Sequence, residues 1–397
     1  MSKGLDIRDL ELNALLEITQ AINNNLSEED LFRIYKFTLL ADLQVKELAL
    51  YVKDSDWHCR VSMGTPTDWS SVPLPQRFWD LSEVRDLTTE DGDFGQFQEA
   101  LPISHKNQLL AVIFVGGHAN SSRSSDSAFL KALTNIIIVA VENKKLARKQ
   151  LSQEAYRKEM EIAKKVQNFL FPKELPQTDR LIIEAVYLPH DEVGGDYYDY
   201  IEIDENRFLV CVADVSGKGV PAALLMSNFQ ASLRTLVRKT QDPKEIVTEL
   251  NHLITKSGNA ENFITFFLGI YDFSKSTLEY VNCGHNPMYL VTDTGVEELC
   301  KGTTVLGMFD PLPFLDTETI HNLHHFFFYG YTDGLTETEN QAEEMFGEER
   351  LKEFFLSGIP KDINKLHHDI FKNLDEFRAG TPHRDDITML SCLVSNS

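Results

Sequence analysis

FLVCVADVSGKGVPAALLM, residues 208–226, changes character twice in nineteen residues. FLVCVADV is an apolar run of strand length, SGKG supplies two glycines for a turn, and VPAALLM opens a helical pattern. Asp214 therefore stands at the end of a buried strand, where a carboxylate is costly unless it is paired or bound to a cation. The design recurs along the chain. DEVGGDYYDY (191–200) places Asp196 after Gly194 and Gly195, FFFYGYTDGLTETEN (326–340) runs into Asp333, and HRDDITML (383–390) sets Asp385 and Asp386 before a final strand.

Each motif has a plainer reading when taken alone. Asp-Gly in TDGLT suits a turn, and DVSGKG suits a loop into a helix start. Together, four carboxylate-bearing strand ends could hold a pair of hard cations. Magnesium and manganese prefer oxygen ligands, retain several waters and need only a few carboxylates.

The order VGGD, DVSGKGVPAALLM, CGHNP, TDGLTE, DDITML closely resembles the SpoIIE-like branch of the PPM (type 2C) serine/threonine phosphatases over about residues 155–394. KKVQNFLFPKELP (164–176) is similar to the helix and stop that precede that domain. The resemblance implies two ions, Mn²⁺ or Mg²⁺: Asp196 would ligate one, Asp214 would bridge both, the main-chain carbonyl of Val215 would add a ligand, and Asp333 with Asp385 would complete the second. Asp386 and Asp199 match acidic family positions with supporting roles. Such a pair of ions activates water, so no nucleophilic side chain is required. YYDY and the cysteine of CGHNP depart from the family pattern without removing a ligand.

Other residues read less sharply. His285 of CGHNP is a tempting general acid, and equally a turn histidine held by a structural hydrogen bond. His321, His324 and His325 are better read as solvated or packing side chains than as ligands. Lys218 is either an attractor of phosphate or an exposed loop lysine, and Cys211 and Cys283 lie in apolar strands as inert thiols.

The 397 residues, 42% hydrophobic and 25% charged, suit two or three globular domains. A formal net charge of -23 argues against nucleic acid or an anionic membrane surface as partner. Five scattered cysteines without a CxxC pair indicate neither a disulfide framework nor a zinc site, and no signal or membrane-spanning run is visible. A cytoplasmic protein is expected.

The fold expected is α+β in three parts: an α/β sensor over 1–125, a helical linker over 126–172, and a phosphatase domain over 173–397 whose antiparallel sheets are flanked by helices in an α-β-β-α sandwich. Two helical patterns, a capping pair Ser27 and Asp30, strands near 47–52 and 57–61, and LPISHKNQLLAVIFVGG (101–117) resemble a GAF-type sensor in element order alone. Cys59, Trp69, Phe78 and Trp79 read as core or surface filler rather than as ligand contacts. Between Gly117 and Pro172 there is neither glycine nor proline, and Leu133, Ile137, Ala140, Ala147 and Leu151 lie on a heptad-like seam that drifts onto Ala155, Ile162, Val166 and Leu170. That seam suggests an intermolecular coiled coil and a homodimer.

The resemblance implies a phosphoserine/phosphothreonine protein phosphatase in bacterial signalling. Its substrate would be a phosphorylated regulatory protein of the anti-sigma-factor-antagonist type, and its sensor would take a small-molecule or protein input. Alternatives are a noncatalytic sensor scaffold, which the intact aspartates disfavour, and a hydrolase of small phosphorylated metabolites.

Overall fold

The computed structural model describes residues 2–41, 45–87, 92–106, 108–116, 124–257 and 262–396. The chain divides into two units, Met1–Ala155 and Tyr156–Ser397. No helix among the described residues is long and apolar enough to cross a membrane.

The first unit is an antiparallel five-stranded sheet in the order Trp57–Met63, Glu47–Lys53, Gln108–Gly116, Glu99–His105, Arg85–Asp86. Alternation along Glu47–Lys53 sends Leu48, Leu50 and Val52 to one face and Ala49 and Tyr51 to the other, and both faces are covered. Helices Ser2–Asn23 and Glu28–Ala41 pack on the first face through Ile18, Tyr35 and Leu39. Ser27 caps the second of these helices: its Oγ accepts the Asp30 amide at 3.0 Å. On the other face Trp69, Phe78, Phe94 and Phe97 gather around Phe114. Of the residues expected to be core or surface filler, Trp69 and Phe78 are fully buried, and Trp79 is 38% exposed with its indole N–H donated to the Leu74 carbonyl at 3.0 Å.

Ser124–Asn168 is one unbroken helix. Its opening turns correct the intermolecular seam read from sequence: Leu133 and Ile137 are fully buried in the first unit's own core, beside Leu130, Ile138 and Val141. Periodicity identifies an apolar face but not what covers it, and here the sheet does. Beyond that point the apolar positions Leu151, Ile162 and Val166 are exposed.

The second unit stacks two antiparallel-dominated sheets. One runs Gly302–Thr303, Thr277–Cys283, Ile264–Asp272, Arg207–Val215, Tyr197–Asp204, with Glu318–Ile320 also paired to Thr277–Cys283. The other runs Gly295–Leu299, Met288–Thr292, His325–Tyr331, Ile387–Ser395, Leu181–Leu188. Period two in FFFYGY sets the layers. Phe326 and Phe328 point into the sandwich, with Phe328 5.4 Å from Phe267 between ring centroids, while Phe327, Tyr329 and Tyr331 face helix Ile363–Arg378 and its neighbours. Helices Gly219–Val237 and Pro243–Ser257 cover the opposite sheet through Met226, Phe229, Leu233 and Leu250. Each fully buried Phe or Leu contributes about 1.5–3 kcal/mol, which is what holds four layers together.

Candidate metal centre

Both sheets run their carboxylates to the same end of the sandwich. Asp196 directly precedes Tyr197–Asp204, and Asp214 lies near the end of the neighbouring Arg207–Val215, opposite Thr265. From the facing sheet, Asp333 begins the turn after His325–Tyr331, and Asp385 and Asp386 precede the adjacent Ile387–Ser395. Hydrogen bonds tie the two sets together. Thr332 and Thr388 each donate a hydroxyl to Asp196 Oδ2 at 2.6 Å, and Asp386 accepts the amides of His190 at 2.7 Å and Gly195 at 2.8 Å.

Two glycines make this approach possible. A Cβ at Gly194 would stand 2.0 Å from Asp386 Oδ2, and one at Gly334 would stand 2.0 Å from the Asp386 carbonyl oxygen. Neither position has room for a side chain. The carbonyl of Val215 lies 2.8 Å from where a Cβ on Gly195 would be, which brings that oxygen to the loop bearing Asp196.

Burial and mutual repulsion strain the carboxylates. Burial pushes Asp196 well above the usual carboxylate range, and Asp214 and Asp386 add to the effect. Asp214 is pushed up to about 7 by burial and then by Asp333, Asp385 and Asp386. Burial, Glu337 and Asp385 raise Asp333 to about 6. Among the described residues no cationic side chain forms an ion pair with Asp196, Asp214 or Asp333; Lys218 Nζ is 2.8 Å from Asp385 Oδ2. Buried and partly buried carboxylates without an ion-pair partner are what a divalent cation would neutralise. No three Asp, Glu, His or Cys side chains among the described residues close into a ready-made cage. A donor set of carboxylates and a main-chain carbonyl, all oxygen, fits Mg²⁺ or Mn²⁺, whereas zinc favours nitrogen and sulfur ligands.

Other residues singled out in the sequence fall outside this cluster. Asp199, three residues from Asp196, faces the other side of its strand, fully buried, where Arg234 holds it at 2.8 and 2.7 Å and Tyr197 donates its hydroxyl. His285 is buried, and that burial lowers its pKa to about 4, so the imidazole is neutral at pH 7. His324 and His325 engage separate partners, Ser276 Oγ at 3.2 Å and the Val394 carbonyl at 3.1 Å. Burial raises the thiol pKa of Cys211 and Cys283, which makes both poor nucleophiles. Three participants escaped the sequence reading: Thr332, Thr388, and Gln167, whose side-chain amide donates to the Gly194 carbonyl at 2.7 Å and accepts its N–H at 3.3 Å.

A family model described as Stage II sporulation protein E (SpoIIE) matches residues 204–394. Those residues form a SpoIIE-family domain. Asp214, Asp333, Asp385 and Asp386 lie within the matched residues of this SpoIIE domain, and Asp196 lies eight residues before them. Protein IcfG of Synechocystis sp. is 26% identical over 280 residues, which cover 62% of this chain and 43% of IcfG. Phosphoserine phosphatase RsbU of Bacillus subtilis is 29% identical over 242 residues, or 60% of this chain and 70% of RsbU. The chain thus spans less than half of IcfG and somewhat more than two thirds of RsbU. Among solved structures, the SiaA-PP2C domain of Pseudomonas aeruginosa superposes with a TM-score of 0.55 at 22% identity, covering 60% of this chain and 97% of that domain. The SpoIIE domain therefore has a PP2C-type α+β fold.

Proposed function

We propose that residues 173–397 act as a metal-dependent phosphatase that hydrolyses phosphoserine or phosphothreonine on a partner protein. The observation that carries this reading is the end of the sandwich, where carboxylates from four chain segments come together, Asp196 and Asp386 buried and Asp385 half exposed, with one lysine beside them. Two divalent cations, Mn²⁺ or Mg²⁺, supply the chemistry when bound: they lower the pKa of a water and screen phosphoryl oxygens. Asp196, Asp214, the Val215 carbonyl, Asp333 and Asp385 would hold them. Thr332 and Thr388 fix the Asp196 carboxylate, Asp386 fixes the Gly195 amide, and Lys218 places positive charge at the exposed Asp385 edge, where a phosphoryl group would arrive.

Similarity to RsbU, a protein named as a phosphoserine phosphatase, favours phosphoserine as the group hydrolysed. Within that reading the substrate is a regulatory protein of the anti-sigma-factor-antagonist type in a bacterial partner-switching pathway. The first unit is a GAF-like sensor, the part of helix Ser124–Asn168 beyond Val141 a linker, and the chain a cytoplasmic homodimer.

Phosphate release from a purified phosphoserine protein should require added Mn²⁺ or Mg²⁺ and stop on chelation. Full turnover in buffer verified as metal-free would refute the proposed chemistry.

A further inference from the structure

The turn 284–287 joins strand Thr277–Cys283 of one sheet to Met288–Thr292 of the other, so it crosses the sandwich. His285 lies on this turn, 7% exposed, and both its ring nitrogens are engaged. Nε2 is 3.1 Å from the Tyr331 carbonyl oxygen, and Nδ1 is 2.6 Å from Thr265 Oγ1. A carbonyl only accepts, so Nε2 carries the proton and Nδ1 accepts from the Thr265 hydroxyl. One neutral tautomer satisfies both ends.

The two partners belong to different sheets, and each is tied to a different proposed ligand. Thr265 is the register partner of Asp214, whereas Tyr331 ends the strand that delivers Asp333 two residues later. The turn itself is pinned: Asn282 Oδ1 accepts the His285 amide at 2.8 Å, while the Asn282 amide donates to the Leu299 carbonyl at 3.1 Å.

We propose that His285 is a positioning residue, a strut between the sheets that sets the separation of Asp214 from Asp333 and hence the affinity for divalent cations. This rests on reading those two aspartates as metal ligands. A proton donor to a leaving group would need a free ring nitrogen at the reacting atoms. His285 has none, and burial disfavours its charged form.

Calorimetric titration of the full chain with Mn²⁺, alongside phosphatase assays over a range of Mn²⁺, tests the strut. His285→Ala should weaken Mn²⁺ binding about 10–100-fold, the range seen when groups that orient metal ligands are lost. At saturating Mn²⁺ its turnover should return to within about threefold of wild type, since no reacting group is missing. His285→Gln, which keeps a donor near the Nε2 position, should recover part of the affinity. Thr265→Val keeps the imidazole and should also weaken binding, and combining it with His285→Ala should add little. If His285→Ala does not fold, Thr265→Val carries the test alone. Native Mn²⁺ affinity in the folded variants would overturn the proposal, as would a loss of turnover that saturating Mn²⁺ leaves unrepaired. A wild type that neither binds Mn²⁺ nor releases phosphate defeats the phosphatase reading and the strut together; a wild type that does both beside unaffected variants defeats the strut alone.

Discussion

Both units are built on antiparallel sheets, yet they treat buried polarity in opposite ways. In the first, the buried polar side chains among the described residues are two threonines, Thr38 and Thr134. In the second they include Asp196, Asp199, Asp386 and His285. Apolar burial suffices for folding, and a buried carboxylate opposes it. The second unit spends stability at one end of its sandwich, which is where consistency between sequence and fold is expected to break for function. Asp199 is compensated by an ion pair with Arg234; among the described residues Asp196, Asp214 and Asp333 have no such pair.

The largest effect should come from removing an uncompensated charge. Asp214→Asn should lower turnover by more than about 100-fold, beyond the loss expected for a residue that only orients a ligand. The same change relieves repulsion with Asp333 and Asp385, so the metal-free variant should melt no lower than wild type. Near-normal turnover in a folded variant would remove Asp214 from the centre.

A matching substitution in the first unit should do the reverse. Phe114 is fully buried, with Phe94 and Phe78 at 4.7 and 5.0 Å between ring centroids. Phe114→Ala should cost about 3–5 kcal/mol of that unit's stability through the cavity it leaves. Denaturant unfolding followed by tryptophan fluorescence would read this, Trp69 being 4.9 Å from Phe94. A loss below about 1 kcal/mol would mean the aromatic face is not packed as described.

The contrast also has a pH signature. Asp214 ionises near 7 in the folded chain and near 3.8 unfolded, so between those values the unfolded state releases its proton first. Stability of the metal-free protein is therefore lost as pH rises from about 4 to 7 and stays low above. The cost at pH 8 is on the order of 2–4 kcal/mol. Thermal melts of the wild type minus those of Asp214→Asn should show this slope, and saturating Mn²⁺ should reverse it by binding the ionised form. A pH-independent difference would show that neither burial nor repulsion from its neighbours strains Asp214.

Much of this contrast is legible in the amino-acid sequence, and for a physical reason. Strands such as Thr277–Cys283 and Met288–Thr292 announce themselves through apolar residues, and each aspartate stands out because it ends such a run. Gly295–Leu299 and Glu318–Ile320 are short, polar edge strands that exist because a neighbour offers hydrogen bonds, so their own residues carry little signal. Thr332 and Thr388 are equally silent. Their role is to reach Asp196 from 136 and 192 residues away, a fact of tertiary structure alone.

The smallest expected effect on the folded monomer lies in the helix that runs on from the first core. Leu151, Ile162 and Val166 are 68%, 61% and 58% exposed, so charged residues there should change monomer stability by no more than about 0.5 kcal/mol. Their spacing nevertheless carries information. Leu151 and Ile162 are 11 residues apart, as are Ala155 and Val166, and an 11-residue period keeps one apolar stripe facing a partner helix with little supercoiling. This is why a seven-residue seam drifts here, and why Leu133 and Ile137, packed against the sheet, belong to a different contact. Pairing of two copies along this stripe would leave the first core intact. Leu151→Glu combined with Ile162→Glu should therefore convert a dimer to a monomer in light scattering without lowering the melting temperature of the first unit, whereas Ile137→Glu should unfold that unit outright. A wild type that is monomeric across working concentrations, or a double variant that remains dimeric, would rule out the stripe as the dimer contact.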